Sequence, residues 1–354
     1  MNDNKVKIAF AGVGNMGQAA HLKNYASLPD CEVVALSELR EDLRNKVATK
    51  YGVPKTYASI EEMVAAGGFD AIVAAQPFSR HGTLMPELLK AKVPVLTEKP
   101  LAASIEAGEG ILKALAESGT WHMVGYNKRS DPATMYVKEE INRLKETEEL
   151  GPMTYIRISM PAGDWISGGF FDMISSSEPY GSGVLEWDPP ASDMDEETFK
   201  KYEAFVNYYI HQINLMRHLL GEPYQITYAD KSGVFLSGQS ESNIACTLEM
   251  SPYTTNLDWQ ECAFVCFQKG WIKLELPAPL AINRAGRVTI FSDPGEGAVP
   301  QTIMPQMPPV HSMRQQAINF IRAVKGEIKP LCEAAEALED LKLSRDYIRL
   351  LTGK

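Results

Sequence analysis

Short apolar runs alternate with stretches of helical periodicity over the first 125 residues of the chain. The apolar runs predict strands at residues 5–11, 31–36, 71–75, 93–96 and 121–125. The periodic stretches predict helices at residues 16–25, 41–51, 81–91 and 105–118, and a further helix that begins at Ser59 with Glu62 as its capping partner. Strands that alternate with helices indicate βαβ units and a mostly parallel sheet.

The rest of the chain has a different pattern. Strand-like runs occur at residues 153–159, 225–229, 244–250, 262–268 and 271–275, with few helices between them, which favours an antiparallel sheet. Residues 331–352 carry apolar side chains along one helical face and predict a C-terminal helix. Since 354 residues exceed what one core usually serves, we expect two domains, at 1–125 and 126–354.

The segment 163–205 breaks both patterns and is expected to be a long irregular loop. Such a loop is either a functional lid or a loop for packing or subunit contact, and the sequence leaves both interpretations open. Its aromatic side chains offer flat faces for a sugar ring, and these are Trp165, Phe170, Tyr180 and Trp187.

Composition excludes several classes of protein. The formal net charge of −10 disfavours binding to nucleic acid, and no apolar run approaches the ~20 residues of a membrane span. The polar start of the chain predicts no secretion signal. Five scattered cysteines argue against a disulfide framework or a metal site and are typical of a cytoplasmic protein.

A glycine-rich loop follows the first predicted strand and opens the first predicted helix. Residues 12–17 have the form G-x-G-x-x-G, with Gly12 at the tight turn, Gly14 where the backbone meets a pyrophosphate, and Gly17 where helix and strand pack. Asn15 and Met16 complete the loop. In this strand–loop–helix context the pattern predicts a Rossmann dinucleotide-binding domain.

An acidic residue stands where such a domain needs one. Glu38 ends the second predicted strand, about 20 residues after Gly17, where a carboxylate binds the ribose hydroxyls of NAD and repels the extra phosphate of NADP. Arg40 lies close by and softens this preference. We therefore expect NAD as the cofactor, with NADP as the alternative.

From these residues onward the chain resembles the Gfo/Idh/MocA oxidoreductases, the relatives of glucose–fructose oxidoreductase and inositol dehydrogenase. The resemblance covers nearly the whole chain, and its most specific motif is Glu98-Lys99-Pro100. The other segments that carry it are the glycine loop, Ala75-Gln76-Pro77 with His81, and the stretches 125–129, 210–215 and 333–338. It implies a second domain of α+β type with a large, open, mainly antiparallel sheet, a C-terminal helix that packs back on the Rossmann domain, and a homodimer or homotetramer.

Two residues are the candidates for acid–base chemistry. Lys99 follows a strand at the carboxyl edge of the parallel sheet, where ligands of such sheets bind, and partial burial there favours a neutral amine. The resemblance makes His211 the active-site histidine. Family members often carry aspartates where this chain has Asn207 and Asn214, which favours Lys99 as the base. Asp164, Asp172 and Asp188 are candidate replacements for the missing carboxylate.

Further residues complete the predicted site. Cofactor contacts are expected from Gly12, Gly14, Asn15, Met16, Gly17, Glu38, Arg40, Ala75, Gln76, Pro77, His81, Glu98, Lys99 and Asn127. Substrate contacts are expected from Lys99, Arg129, Asp164, Trp165, Asn207, Tyr208 and His211. His21, in the first helix, is expected to be structural.

The sequence favours an NAD-dependent oxidoreductase that moves a hydride to or from a secondary alcohol of a sugar, cyclitol or glycoside. It leaves two alternatives open. One is a glycosidase that oxidises the sugar transiently at its third carbon and recycles its NAD. The other is a sensor of dinucleotide or sugar without catalysis, which the paired Lys99 and His211 disfavour.

Overall fold

A computed structural model describes residues 5–179, 185–295 and 297–354. They form two compact units, the first made of Met1–Tyr126, Gly169–Glu203 and Gln316–Leu341. The second is made of Asn127–Gly168, Ala204–Gln315 and Lys342–Lys354. The first break along the chain, at Tyr126, is next to the expected boundary at residue 125. Two later segments pack with the first unit, because compact units follow packing and not chain order.

The first unit is built on a parallel sheet, as the alternation predicted. The described strands are β1 (Val6–Ala11), β2 (Cys31–Ser37), β3 (Lys55–Tyr57), β4 (Ala71–Ala74), β5 (Val95–Glu98) and β6 (His122–Gly125). Their order, β3-β2-β1-β4-β5-β6, is that of a dinucleotide-binding Rossmann fold. The expected α/β class is thereby confirmed.

Helices cover this sheet. They are a π-helical turn (Gly17–Leu22) continued by α1 (Lys23–Tyr25), then α2 (Glu41–Tyr51), α3 (Ile60–Ala66), a 3₁₀ turn (Phe78–Arg80) with α4 (His81–Leu89), and α5 (Ile105–Ser118). The Ser59 hydroxyl caps α3 by accepting from Glu62 N at 3.1 Å, as predicted. Left-handed glycines end α2 at Gly52 and α5 at Gly119.

A late segment of the chain completes the core of the first unit. Phe320 is fully buried, and its ring packs edge-on against Tyr25 and Trp121 with centroids 6.4 and 5.7 Å apart. Leu338 packs on α5 so closely that a Cβ at Gly108 would lie 2.8 Å from Leu338 Cδ1. The first turns of the C-terminal helix thus contribute to this unit.

The second unit carries a larger sheet. Its described strands are β7 (Met153–Ser159), β8 (Tyr224–Ala229), β9 (Phe235–Ser240), β10 (Ala245–Glu249), β11 (Glu261–Phe267), β12 (Gly270–Leu276), β13 (Arg287–Ser292) and β14 (Gln301–Ile303). The order is β14-β13-β12-β11-β7-β10-β9-β8, and among these pairs only β7 and β10 run parallel. A mainly antiparallel sheet is thereby confirmed, although β9, β13 and β14 were not predicted.

The remaining helices are α6 (Asn127–Ser130), α7 (Pro132–Thr147), α8 (Glu196–Tyr208), α9 (Ile210–Leu220), α10 (Ser312–Val324) and α11 (Ala334–Thr352). The expectation of irregular chain up to residue 205 was wrong, because Asp195 accepts from Thr198 N at 2.8 Å and starts α8. Among the described residues, no helix is long and apolar enough to cross a membrane.

Candidate functional site

The parallel strands end level with one another, so the residues that follow them share one edge of the sheet. Ala11 is in register with Ser37 on one side and with Ala74 on the other, and Ala74 is in register with Thr97. The predicted residues brought to this edge of the first unit are Gly12, Glu38, Ala75, Gln76, Pro77, Glu98 and Lys99.

The glycine loop has no room for side chains at two of its positions. Gly12 has φ +93°, and a Cβ there would lie 2.9 Å from the carbonyl oxygen of Ala75. A Cβ at Gly17 would lie 2.7 Å from the Gly12 oxygen. At Gly14 the nearest atom to a Cβ would be Arg40 Nη2, 3.8 Å away. No side chain therefore covers the backbone of this loop at its three glycines, so a pyrophosphate could approach the backbone N–H groups closely. This arrangement fits a dinucleotide.

Glu38 faces this loop from the end of β2. Its carboxylate is 6% exposed and accepts from Val13 N at 3.4 Å and from Arg40 Nε at 2.7 Å. Arg44 Nη1 donates to the Glu38 backbone oxygen at 2.8 Å. These contacts fix the Glu38 carboxylate beside the glycine loop, where the ribose of a dinucleotide would lie. The Arg40 guanidinium forms an ion pair with the same carboxylate.

A cavity of about 420 Å³ opens between these elements, a size common for small-molecule sites. Its lining residues are Gly12, Gly14, Ser37, Glu38, Leu39, Ala58, Ser59, Ile60, Glu61, Ala75, Gln76, Pro77, Arg80, Leu84, Leu185 and Trp187. Six of the predicted cofactor residues are among them. Asn15, Met16, Gly17, Arg40, His81, Glu98, Lys99 and Asn127 lie outside the lining, and their cofactor roles stay predictions.

Glu98 is a buried anion next to the candidate base. His21 Nε2 lies 2.5 Å from Glu98 Oε1, and Lys99 N donates to Glu98 Oε2 at 3.3 Å. Burial alone would raise the pKa of Glu98, but the His21 hydrogen bond and the charges of His21 and Lys99 outweigh it and lower that pKa. This partnership could not be predicted from the sequence, because 77 positions separate His21 from Glu98.

His81 supports the chain on the other side of Lys99. It is fully buried, and its Nδ1 donates to the backbone oxygens of Pro100 at 3.2 Å and Leu101 at 3.1 Å. Burial lowers its pKa, so the ring is neutral with the proton on Nδ1. The side chain thus holds the loop that follows the candidate base.

In the second unit, α9 carries His211 in a half-buried position. Arg129 is 3% exposed, and its Nε donates to Asn214 Oδ1 at 2.7 Å. Asn127 is equally buried and donates to Ser312 Oγ at 2.8 Å. Asn214, which stands where the family often has an aspartate, therefore binds the Arg129 side chain within this unit.

A buried ionic cluster includes Gln212, the residue next to His211 in the chain. It was not predicted from the sequence. Lys128 Nζ pairs with Glu261 Oε2, and both side chains are almost wholly buried. Gln212 Nε2 donates to Glu261 Oε1 at 2.8 Å, and Trp259 Nε1 donates to Oε2 at 3.3 Å. The only local signal was adjacency, since Lys128 follows Asn127 and Gln212 follows His211.

A second cavity, of about 620 Å³, lies in the second unit. Asp164, Tyr253, Trp259 and Glu261 line part of its wall, which combines carboxylates with flat aromatic faces. Asp164 Oδ1 also accepts from Ile166 N and Ser167 N, each at 3.0 Å. Of the predicted substrate residues only Asp164 lines this cavity. Two other predicted substrate residues lie outside the lining of this cavity. Tyr208 is partly buried, and burial raises the pKa of its hydroxyl. Asn207 is exposed.

Two of the candidate replacement carboxylates are used within the first unit. Asp172 pairs with Lys50 Nζ at 2.8 Å on the surface. Asp188 accepts from Gly82 N and Thr83 N at the start of α4. Tyr180, expected to face a sugar, lies outside the described residues.

Residues 6–126 match the family model GFO_IDH_MocA, described as an oxidoreductase family with an NAD-binding Rossmann fold. Over this N-terminal domain, the chain matches the Gfo/Idh/MocA family. The match covers the glycine loop, Glu38 and the Glu98–Lys99 pair, so the resemblance noted in the sequence is confirmed.

Curated relatives share part of the chain. The chain is 23% identical over 227 residues to the myo-inositol 2-dehydrogenase of Thermotoga maritima, which covers 64% of this chain and 58% of that protein. It is 27% identical over 177 residues to the scyllo-inositol 2-dehydrogenase (NAD(+)) of Bacillus subtilis, covering 48% and 50%. The chain thus spans about half the length of the curated relatives it matches.

Solved structures share the whole fold. An aldose-aldose oxidoreductase from Caulobacter crescentus, complexed with glycerol, superposes with a TM-score of 0.70 at 17% identity over 99% of this chain and 98% of that one. An oxidoreductase from Agrobacterium radiobacter, in complex with NAD+, L-tartaric acid and magnesium, gives 0.69 at 14% identity over 99% and 97%. At these identities the likeness establishes the fold.

Proposed function

We propose that this chain is an oxidoreductase that moves a hydride between the nicotinamide of NAD and a secondary alcohol of a sugar or cyclitol. The observation that carries the proposal is the position of Lys99, directly after the buried Glu98 whose carboxylate accepts from Lys99 N, at the carboxyl edge of the sheet that bears the glycine loop. Ligands of open parallel sheets bind at this edge.

Oxidation of an alcohol needs a hydride acceptor and a base for the hydroxyl proton. Bound NAD would supply the acceptor. Lys99 Nζ takes the hydroxyl proton in this proposal, while Glu98, held by His21, keeps a negative charge beside it. His211 serves as a donor to the reacting oxygen or as a second proton carrier.

NAD is the proposed cofactor in preference to NADP. Glu38 lies beside the glycine loop, where its carboxylate would accept from both ribose hydroxyls, whereas a phosphate on the ribose would be repelled by it. Arg40, 2.7 Å from the same carboxylate, weakens this discrimination without reversing it.

The substrate class is proposed from the relatives. The curated relatives described above are inositol dehydrogenases. A polyhydroxylated ring is therefore the proposed substrate.

We also propose that the protein forms a homodimer or homotetramer through the open face of its second sheet. Trp271 lies between Phe264 and Phe291 on this face, with ring centroids 5.1 and 5.9 Å away, and all three rings are only half-buried. Light scattering after gel filtration should give a multiple of 39.2 kDa, and a monomer at micromolar concentration would contradict the proposal.

The activity is tested by absorbance at 340 nm, with NAD or NADP and a panel of cyclitols, sugars, sugar acids and glycosides. We expect NADH to appear with at least one compound and to be lost in Lys99→Ala, whereas Lys113→Ala, an exposed lysine of α5, serves as the matched control. Tight NAD binding without turnover of any compound would contradict the proposal. Cleavage of a glycoside without net NADH would point to transient oxidation instead.

A further inference from the structure

One wall of the 420 Å³ cavity comes from a distant part of the chain. Leu185 and Trp187 line it together with residues of positions 12–84. They belong to the segment 169–203, which is part of the first unit but lies outside the alternating strands and helices. Trp187 is 54% exposed, which is unusual for an indole and indicates a surface available to a ligand.

Hydrogen bonds on both sides of Trp187 fix its position. Asp188 accepts from Gly82 N at 2.9 Å and from Thr83 N at 3.0 Å, and its own N–H donates to Ser79 O at 2.7 Å. On the other side, Arg80 Nε donates to the Glu186 backbone oxygen at 3.0 Å. The indole is therefore held at the start of α4 by its two neighbours.

The close approach of this segment requires a glycine in α4. A Cβ at Gly82 would lie 2.9 Å from Asp188 Oδ1 and 3.0 Å from Ala107 Cβ. A Cβ at this position would therefore force the Asp188 carboxylate to shift relative to its two backbone N–H donors. Gly82 thus leaves room for the Asp188 carboxylate, whose hydrogen bonds hold residues 186–188 against the start of α4.

The lining residues identify which half of a dinucleotide would lie under Trp187. Glu38 and Leu39 follow β2, and Ser59 and Ile60 follow β3, on the side of the sheet where the ribose acid stands. Lys99, the candidate base, is not among the lining residues. The cavity therefore suits the adenosine half, whose base is flat and uncharged.

We propose that Trp187 packs on the adenine ring of the bound dinucleotide and so contributes a cofactor contact from outside the alternating strands and helices of the first unit. This inference rests on the proposed function, because it assumes that the cavity takes NAD. An indole offers a large aromatic face to a base, and such stacking contributes strongly to binding of bases in other proteins.

The test is calorimetric titration of the whole chain with NAD, ADP and nicotinamide mononucleotide. Trp187→Ala should weaken binding of NAD and ADP roughly ten-fold, as expected for one base–aromatic stack, and leave the mononucleotide unchanged. Trp187→Phe should retain most of the affinity because it keeps an aromatic face. Phe171→Ala is the matched control, since Phe171 is an exposed aromatic residue of the same segment that does not line the cavity.

The outcomes separate this inference from the proposed function. If Trp187→Ala binds NAD and ADP as the unchanged protein does, or more tightly, the stacking role is wrong while the dinucleotide site stands. Tighter binding would mean that the indole obstructs the cavity. If the unchanged protein binds neither NAD nor ADP, both the inference and the proposed function fail. Melting temperatures of all variants check that each one folds.

Discussion

His21 Nε2 lies 2.5 Å from Glu98 Oε1, and this contact joins the π-helical turn after the glycine loop to the residue that precedes Lys99. Both side chains are buried, so the carboxylate depends on the imidazole for compensation. The contact links the cofactor loop to the candidate base within one unit. His21 is on this view a positioning residue and not only part of the packing.

We predict that His21→Ala lowers kcat roughly ten-fold or more, with a smaller effect on the KM for NAD, because it removes a hydrogen bond to a buried charge. Without His21 the pKa of Glu98 should rise, so the acidic limb of the rate profile should move to higher pH. Steady-state kinetics across pH measures both effects. Asn24→Ala, in the next turn, is the control, and an unmoved acidic limb in His21→Ala would contradict the prediction.

Glu38 should set the choice of cofactor. Glu38→Ala removes the acceptor for the ribose hydroxyls and the charge that repels a ribose phosphate, so the ratio of kcat/KM for NAD over NADP should fall roughly ten-fold or more. Arg40→Ala should raise the same ratio, because its guanidinium favours the phosphate. Glu41→Ala, exposed and adjacent, should change neither value. A ratio unaffected by Glu38→Ala would show that the carboxylate does not meet the ribose.

The first unit could be predicted closely because its signals are local. The bounds of α2 and α5 match the prediction, since each has a stop at a left-handed glycine, Gly52 or Gly119. The strand β3 was missed because Lys55–Tyr57 is short and largely polar, as its place at the edge of the sheet allows.

The second unit was harder to predict because its strands bury only one face. In β9 the buried positions alternate with polar ones and include Gly238, a residue that is disfavoured in strands. A side chain at position 238 would collide with the Gln225 backbone of the neighbouring strand. Packing therefore requires glycine at this position, although glycine has a low strand propensity. The strand β14 is exposed throughout and has no apolar pattern to detect.

The same distinction holds for the candidate site. The glycine loop and the Glu98–Lys99 pair are contiguous motifs, so the sequence was enough to single them out. The pairs Lys128–Glu261 and Gly82–Asp188 join residues 133 and 106 positions apart. No periodicity links such residues, because their proximity is created only when the chain folds.

Two glycines of α5 should respond in opposite ways to the same substitution. A Cβ at Gly110 would meet nothing within 4 Å, so Gly110→Ala should raise the free energy of unfolding by about 0.5–1 kcal/mol through helix propensity. A Cβ at Gly108 would lie 2.8 Å from Leu338 Cδ1, so Gly108→Ala should lower it by about 1–3 kcal/mol through overpacking. Urea denaturation measures both. Equal stability of the two variants would show that Leu338 does not pack here.

His122 should make the protein sensitive to mild acid. Burial, with a smaller electrostatic contribution from the nearby His81, lowers the pKa of His122 to about 3, because a second proton on either ring would be repelled by the other. Its Nε2 lies 2.8 Å from Thr97 Oγ1. An unfolded histidine titrates near 6.5. Between these values the unfolded chain binds a proton that the folded protein does not. The stabilising contribution is therefore complete above about pH 6.5 and is lost progressively as the pH falls.

We therefore predict that stability of the unchanged protein falls by about 2 kcal/mol more than that of His122→Gln between pH 7 and pH 5, the value for 1.5 pH units below the unfolded pKa. Urea denaturation at the two pH values measures the difference. Thr97→Val removes the hydrogen-bond partner but leaves the histidine, so it should keep the steep pH dependence. If His122→Gln loses as much stability on acidification as the unchanged protein, the buried imidazole is already protonated or accessible to water, and the acid sensitivity must come from other groups.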